Sequence, residues 1–464
     1  MTMNHQLKHS EKKMDTIIAY AKRKGFVFPS SEIYDGFAGV YDFGPNGAPL
    51  LNAIKDHFRK ETVLRRTNFS EIDSGIFKNP KAWKASGHVD GFSDPMADCK
   101  TCQTRIRVDK ELDKLGVSAD EKMSEEEINT LFDTHREQIT CSNCKEQNFS
   151  QARAFNMLVT SNIGNFTGSD NEPVYLPGEA ALGIYLNYKN IVNSINPKIP
   201  FGVAQIGKAF RNEISPRQFL FRTRELEQAD TQLFIRPGEN KEHFERTKQE
   251  RMEWHKSLGI SEENLQFHQH DNLVFYAADA WDIEYNFPDY GFDEIEGIHD
   301  RTNYDLTQHS EATGVDLSFN DNGDKFIPYI VETSMGMGRT FLAVLSEAYD
   351  EEELEGGDTR VVLRFVPHLA PVQVAVLPLM KKDGLAEAAQ EIFAELSGDM
   401  RATYDESGSV GKRYRRQDEI GTPFCVTYDY DSKEDNAVTV RNRDTMEQER
   451  VPIEELKTYL QGQI

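Results

Sequence analysis

The chain has 464 residues, of which 28% are charged and 10% aromatic, and its formal net charge is −24. That length supports two or three domains with full-sized cores. No run of about 18 apolar residues occurs, so no transmembrane helix is expected. The polar opening MTMNHQLKHSEKKMD has no apolar signal-peptide region, which makes the cytoplasm the expected location. The acidity argues against a surface that binds nucleic acid everywhere. Either local basic patches do any docking, or the charge serves solubility alone.

Residues 11–24 place Met14, Ile17, Ile18 and Ala21 at helical spacing, with Gly25 just past the end. FVFPSSEIYDGFAGVYDFGPNG then reads as strand and turn. Pro49, Leu50, Leu51, Ile54 and Phe58 mark an amphipathic helix ending near Lys60. Cys99-x-x-Cys102 and Cys141-x-x-Cys144 form two thiolate hooks, and four thiolates suit tetrahedral zinc. Reduced thiols without metal are the alternative, because disulfides are not expected in the cytoplasm. Acidic, helix-favouring sequence lies between the hooks, so residues 97–150 read as a zinc-pinned, ribbon-like insertion. Arg105 and Arg107 follow the first hook directly. Residues 153–164 are strand-like and return to the core. VYLPGEAALGIYLNY carries one acid, Glu179, where a helix with Ala181, Ile184 and Tyr185 begins.

Two strand-like runs follow, 203–210 and 219–226, with 212–218 as the loop of an antiparallel hairpin. Within this unit Arg211, Arg217, Arg222 and Arg224 face Glu213, Glu225, Glu227 and Asp230. A guanidinium is always charged and presents a planar fork suited to phosphate or carboxylate. Such a hairpin could hold a polyphosphate and a cationic group together; ordinary cross-strand pairs on an exposed sheet are the plainer reading. Gly202-x4-Gly207-Lys208 is one residue from a P-loop. Ala209 stands where the magnesium-binding hydroxyl belongs, and the segment reads as a strand, so this motif is rejected.

NKEHFERTKQERMEWHKSLG is an amphipathic helix with Phe244, Met252 and Leu258 inward. His268 and His270 share a strand face, but no third metal ligand is evident, and a surface strand is the reading. ADAWDIEYNFP and GFDEIEGIHDRTNYDL carry many carboxylates. VETSMGMGRTFLAVL is a strand running into a helix, where Gly336 and Gly338 allow close backbone approach and the helix N-terminus favours anions. DEEELEGGDTR reads as a solvated acidic loop. From HLAPVQVAVLPL onward, strands and helices alternate, which implies a compact α/β module with a mainly parallel or mixed sheet. Its dense basic cluster is Lys412, Arg413, Arg415 and Arg416, and Cys425 reads as core packing.

Phe210-Arg211-Asn212-Glu213 and Gly336-Met337-Gly338-Arg339, with the Glu179 segment ahead of them, resemble signature motifs of class II aminoacyl-tRNA synthetases. GFVFPSSEIYDG, ASGHVDGFSDPM, IGKAFRNEISP, FRTRELEQ, the Glu-Thr-Ser-Met-Gly run and GKRYRRQDEIGTPFCVTYD narrow the resemblance to the dimeric glycyl-tRNA synthetase family. The match spans nearly the whole chain after the first dozen residues. It implies an α+β fold: a catalytic domain over 1–368 built on an antiparallel sheet with flanking helices, the 97–150 insertion within it, and an α/β anticodon-binding domain over 369–464. It further implies activation of glycine by ATP with Mg2+, transfer to tRNA(Gly), and a homodimer whose interface uses the early helix and the strand after it.

The resemblance also assigns residues. Arg211 and Arg339 are its catalytic arginines, Arg211 on the α-phosphate and Arg339 with Arg222 or Arg224 on the outer phosphates. Phe221 would stack on adenine and Glu213 read its amine. Asn212, Thr223, Glu225, Leu226, the Glu294-Ile295 pair, Gly336, Met337 and Gly338 complete the expected ATP site, the paired acids suiting octahedral magnesium. Glycine is assigned to Arg107, Glu179, Leu226, Glu227, Gln228, Ala229, Asp230, Glu332, Thr333, Ser334, Met335 and Gly336, and tRNA to the basic cluster. Two positions depart from the family pattern. Leu176-Pro177-Gly178-Glu179 lacks the arginine of Leu-Arg-Pro-Glu, and Ala229-Asp230 carries a shorter acid than the usual Glu. A synthetase-like binding protein would have lost the signature arginines, which this chain keeps. A ligase for another amino acid remains the other alternative, against which Glu179 and Glu332-Thr333-Ser334 speak by resemblance.

Overall fold

The computed structural model describes residues 8–119, 123–163, 173–214, 219–270, 273, 276–353 and 357–464; Arg217 lies outside them. Its centre is a seven-stranded sheet of β1 (Phe69–Glu71), β2 (Phe201–Phe210), β3 (Glu225–Ile235), β4 (Leu265–Gln269), β5 (Asp279–Phe287), β6 (Gly291–Thr302) and β7 (Tyr329–Gly336). The order across the sheet is β4-β5-β6-β7-β3-β2-β1. Every neighbouring pair is antiparallel except β1 with β2. Helices α1 (Gly47–Arg59), α2 (Leu182–Ile195), α3 (Asn240–Ser257) and α4 (Met337–Ala348) cover it.

The helices form where the apolar spacing puts them. Leu50, Leu51, Ile54 and Phe58 form the buried stripe of α1, which gives way at Lys60 to a short π-helical turn, Lys60–Leu64. α4 buries Met337, Phe341, Leu342 and Leu345 in the main core. On the sheet's back face α3 lays Phe244 and Met252 inward and brings two polar groups with them. Arg251 Nε donates to Glu296 at 2.6 Å, and His255 Nε2 lies 2.7 Å from the same carboxylate. Burial opposes the charge on Glu296, but Arg251 and His255 outweigh it and hold the carboxyl near 2.

Two segments differ from the sequence reading. Residues 219–226 are not a strand. Phe219–Phe221 is a 3-10 turn with Phe219 at φ 57°, and β3 starts only at Glu225. The alternation there records a loop folded onto the core: Phe219 packs edge-on to Tyr41 and Phe221 to Phe287. DEEELEGGDTR is not simply solvated either. Tyr349–Glu353 and Thr359–Leu363 pair as a hairpin, and Asp350 and Glu352 are buried against Arg364 and Arg360. An acidic run is polar in sequence whether water or arginine surrounds it.

The cysteine segment has its own small core, with Ile106, Leu112, Ile128, Phe132 and Phe149 inside. Strands Ser93–Asp98, Arg105–Arg107 and Arg153–Asn156 form its sheet, and helices Val108–Asp113 and Glu125–His135 lie on it. The C-terminal module is a five-stranded mixed sheet in the order Ala402–Tyr404, Val374–Pro378, Phe424–Tyr428, Ala437–Asn442, Gln448–Pro452. Cys425 is buried in it as expected. Its helix Val410–Ile420 is tied to the Thr359–Leu363 strand through Asp418, which accepts from Arg360 at 3.1 Å and from Arg441 at 2.8 Å, all three being buried. Replacing Asp418 by Ala strands the buried Arg441 guanidinium and leaves Arg360 with Glu352 as its ion partner. The expected cost is about 3–5 kcal/mol, read as a lowered thermal midpoint, and Asp418→Asn should recover only part of it.

Candidate active site

A cavity of about 390 Å3 opens on the front of the sheet between β3, β7 and the N-terminus of α4. Arg211 and Arg339 both line it. Arg211 leaves β2, donates to the Gly178 carbonyl at 3.3 Å and lies over the Phe92 ring. Arg339, in the first turn of α4, donates to the Glu294 carbonyl at 2.7 Å, to its carboxylate at 3.2 Å and to Asp293 at 3.2 Å. Burial would raise Glu294, but Arg339 and Arg211 keep it below the usual carboxylate range. A Cβ at Gly336 would project into open space, so the strand-to-helix junction leaves the cavity floor bare.

Glu213, Phe221, Thr223, Glu225, Leu226, Ile295, Met337 and Gly338 also line this cavity, as the sequence reading places them. Arg222 lines it from an exposed position, whereas Arg224 turns away. Arg224 donates to the carbonyls of Glu213 and Ala38 at 2.9 and 3.1 Å and fastens the loop. Of the two arginines left open for the outer phosphates, only Arg222 faces the cavity. Asn212 is not part of the lining; its backbone N–H donates to Met157 at 2.8 Å. Arg107 reaches the cavity from the insertion, held by Asp94 at 3.1 Å and by Asp109.

Next to this cavity the sheet carries a group of buried acids, and strand register assembles it. Asp230 pairs with Ser334 and Gln232 with Glu332 across β3 and β7; Glu332 faces His299 on β6. Arg301, only 1% exposed, donates twice to Asp305 at 2.8 and 2.9 Å and once to Glu332 at 2.9 Å, with Glu179 at 3.9 Å. Glu332 also accepts from Gln232 at 2.8 Å, and Tyr185 donates to Gln232 at 2.7 Å. Burial opposes the charge on Glu332, but Arg301 and His299 hold its carboxyl far down. Asp230 is the opposite case. It is fully buried, neither oxygen has a hydrogen-bond partner in normal geometry, and burial together with Glu332 pushes it well up.

The same alternation removes three residues from the expected glycine set. Successive side chains of a strand point to opposite faces. Ala229, Thr333 and Met335 therefore face the back: Thr333 meets Thr231 at 2.8 Å and Met335 lies against Arg251. Gln228 stays on the front and accepts from the Ala180 N–H at 3.1 Å, while Glu227 is committed to Lys55. Sequence reading missed Arg301, Gln232, Tyr185, His299 and His88, the last 3.5 Å from Glu179. Arg301 and Asp305 at i, i+4 across a strand-to-helix junction were the available signal.

All four cysteine sulfurs lie within 4.8 Å of one another, Cys99 to Cys144 at 3.5 Å and Cys102 to Cys141 at 3.6 Å. Sulfurs bound about 2.3 Å from one zinc sit at such spacings, so the donor set fits that ion. His268 does have carboxylate neighbours that the sequence did not reveal, Asp282 and Glu284. In the basic cluster Arg413 must be withdrawn as an RNA contact. It is 2% exposed and donates to the carbonyls of Pro378, Asp405 and Leu379. Arg415 is half-buried, with a contact to the Thr359 carbonyl, and Lys412 and Arg416 are exposed.

A largely antiparallel sheet with an arginine just past its second strand and another at a strand-to-helix junction defines the catalytic core of a class II aminoacyl-tRNA synthetase. Residues 165–348 match the tRNA synthetase class II core domain (G, H, P, S and T), and residues 373–463 match the anticodon binding domain. Glycine–tRNA ligases of Treponema denticola and Caldanaerobacter subterraneus are 48% and 47% identical, each over 97% of this chain and 97% and 98% of their own lengths. That of Borrelia hermsii is 45% identical over 97% of this chain and 98% of its own. The chain belongs to the glycine–tRNA ligase family.

Arg301 is the one guanidinium among these acids, so its removal should be felt in folding. Arg301→Ala is expected to destabilise the catalytic core by about 3–5 kcal/mol in urea unfolding, because Asp305 loses its guanidinium and Glu332 keeps only Gln232 and His299. Arg301→Lys should rescue little, since an ammonium cannot reproduce the forked pairing.

Proposed function

We propose that this chain activates glycine with ATP, giving glycyl-adenylate and pyrophosphate, and then transfers glycine to the 3′ end of tRNA(Gly). One observation carries the reading: a cavity lined by Arg211 and Arg339 adjoins the part of the sheet that buries Asp230, an acid with no hydrogen-bond partner among the described residues. A glycine carboxylate oxygen attacks the α-phosphorus, and the bond to pyrophosphate breaks. Such a step needs alignment and charge neutralisation more than a protein base. Arg211 is placed on the α-phosphate, Arg339 and Arg222 on the outer phosphates, and Phe221 against adenine. Asp293 and Glu294 would hold Mg2+, which when bound supplies further neutralising charge at the phosphates. The glycine ammonium goes to Asp230 and Glu179, with Ser334 beside them. Glu332, already shared between Arg301 and Gln232, supports this site rather than waiting for substrate.

ATP–pyrophosphate exchange assayed against every amino acid tests the reading. Glycine should support it far better than alanine or serine. Arg211→Ala and Arg339→Ala should each lower the exchange rate by roughly 10²–10³ while leaving the fold intact. Equal use of alanine, or near-normal exchange in either variant, would sink the assignment.

The cysteine site is proposed to hold structural zinc, on the strength of its four converging sulfurs. Metal analysis of protein prepared without chelator should find about one zinc per chain, and Cys99→Ser should lose it together with the fold of the insertion. A homodimer is proposed as well. Leu64, just past α1, is 78% exposed, and a cavity of about 540 Å3 bordered by Phe69, Arg66 and Arg246 opens on the back of the sheet. Closed two-fold dimers are the commonest assembly. Sedimentation should give twice the chain mass at micromolar concentration, and an active monomer would contradict it. The C-terminal module is assigned to the tRNA anticodon, with Lys412, Arg415 and Arg416 as contacts, and the activity is placed in the cytoplasm.

A further inference from the structure

We infer that His268, Asp282 and Glu284 form a binding site for a divalent transition-metal ion at the outer end of the active-site face. One imidazole nitrogen and two carboxylate oxygens lie within 4.8 Å of one another. His268 Nδ1 is already 3.0 Å from Glu284 Oε1, a separation suited to two neighbours in one coordination shell.

The strands explain the convergence. His268 on β4 is registered directly opposite Asp282 on β5. Glu284, two residues on, shares the face of Asp282, and a bulge at Ile295 of β6 brings Glu294 opposite it. Bulges commonly re-aim a side chain beside an active site.

Charge supplies a second, independent reason. The side chains of Asp282 and Glu284 are only 12% and 13% exposed. Among the described residues neither is ion-paired to a lysine or arginine; their ionic partners are His270 and His268. Sequestered carboxylates side by side need a cation. His268 is 55% exposed, so it can swing onto an ion while the two acids stay fixed. Mixed imidazole and carboxylate donors select ions such as Mn2+ or Zn2+, and the open side leaves room for water.

The test uses nucleotide-free protein with its cysteine site loaded with zinc, titrated with Mn2+ and read by electron paramagnetic resonance. One Mn2+ per chain should bind. His268→Ala and Glu284→Gln should weaken binding by at least about tenfold. Glu294→Gln, which alters the proposed ATP site instead, should leave this ion in place. His268→Ala removes a half-exposed side chain, and circular dichroism checks that its fold is intact. No Mn2+ bound to the parent, parental binding in His268→Ala, or binding lost in Glu294→Gln alone would each overturn the inference. In those cases His268 and Glu284 are an ordinary ion pair.

Discussion

Arg301 sits where three structural demands meet. It ends the longest strand of the sheet, it anchors the following helix through Asp305, and it neutralises Glu332 in the middle of the front face. Each of those acids would be costly to bury alone. Tyr276 closes over the guanidinium with its ring 3.8 Å away, so solvent does not share the charge. Among the described residues one guanidinium serves Glu179, Asp230, Asp305 and Glu332, so the group stays short of positive charge. Pairing fixes Glu332 and Asp305, and Asp230 takes the deficit. An ammonium would be welcome in a place so short of positive charge, which is what supports the proposed substrate site.

The sheet separates this deficit from a second one on its back. Glu296 and Glu332 lie on adjacent strands but on opposite faces, each with its own arginine. Period-two alternation makes that separation automatic. It also ties register to charge, because a one-residue slip of β7 against β6 would carry Glu332 to the back face and part it from Arg301. Register here is held by buried ion pairs as well as by apolar pattern, which gives a sheet with polar groups on both faces one unique pairing.

Much of this was legible in the sequence, for identifiable reasons. Long amphipathic helices such as α1 and α3 announce themselves by period. The cysteine hooks announce themselves by spacing, and the two cavity arginines by the motifs around them. The rest failed where a residue's meaning depends on distant partners. Arg224 and Arg222 are indistinguishable in FRTREL, and only the turn at Phe219–Phe221 sends one to the cavity and the other to the Ala38 carbonyl. Ala229, Thr333 and Met335 belong to contiguous motifs, yet a contiguous motif on a strand always spans both faces. Arg413 and Glu352 read as solvated because burial against backbone carbonyls or a complementary charge leaves no trace in local composition.

The pocket's stiffness bears on how glycine can be told from a larger amino acid. A cavity that fits a side chain discriminates weakly against a smaller substrate, because a missing methylene forfeits only about 1–3 kcal/mol. Here the problem is reversed, since every competitor is larger. Exclusion then depends on walls that do not yield, and forcing an extra methyl into a packed site costs roughly 1–3 kcal/mol or more. The walls around Asp230 are of that kind. Gln232 is pinned between Tyr185 and Glu332, Glu332 between Gln232 and Arg301, and Gln228 between Ala180 and Ser334. None can move aside without breaking a buried hydrogen bond, which costs more than the dispersion contact an extra methyl would gain. Asp230, without a hydrogen-bond partner among the described residues, is the least tethered member of this wall. If the pocket has any tolerance for a larger substrate, it lies on that side.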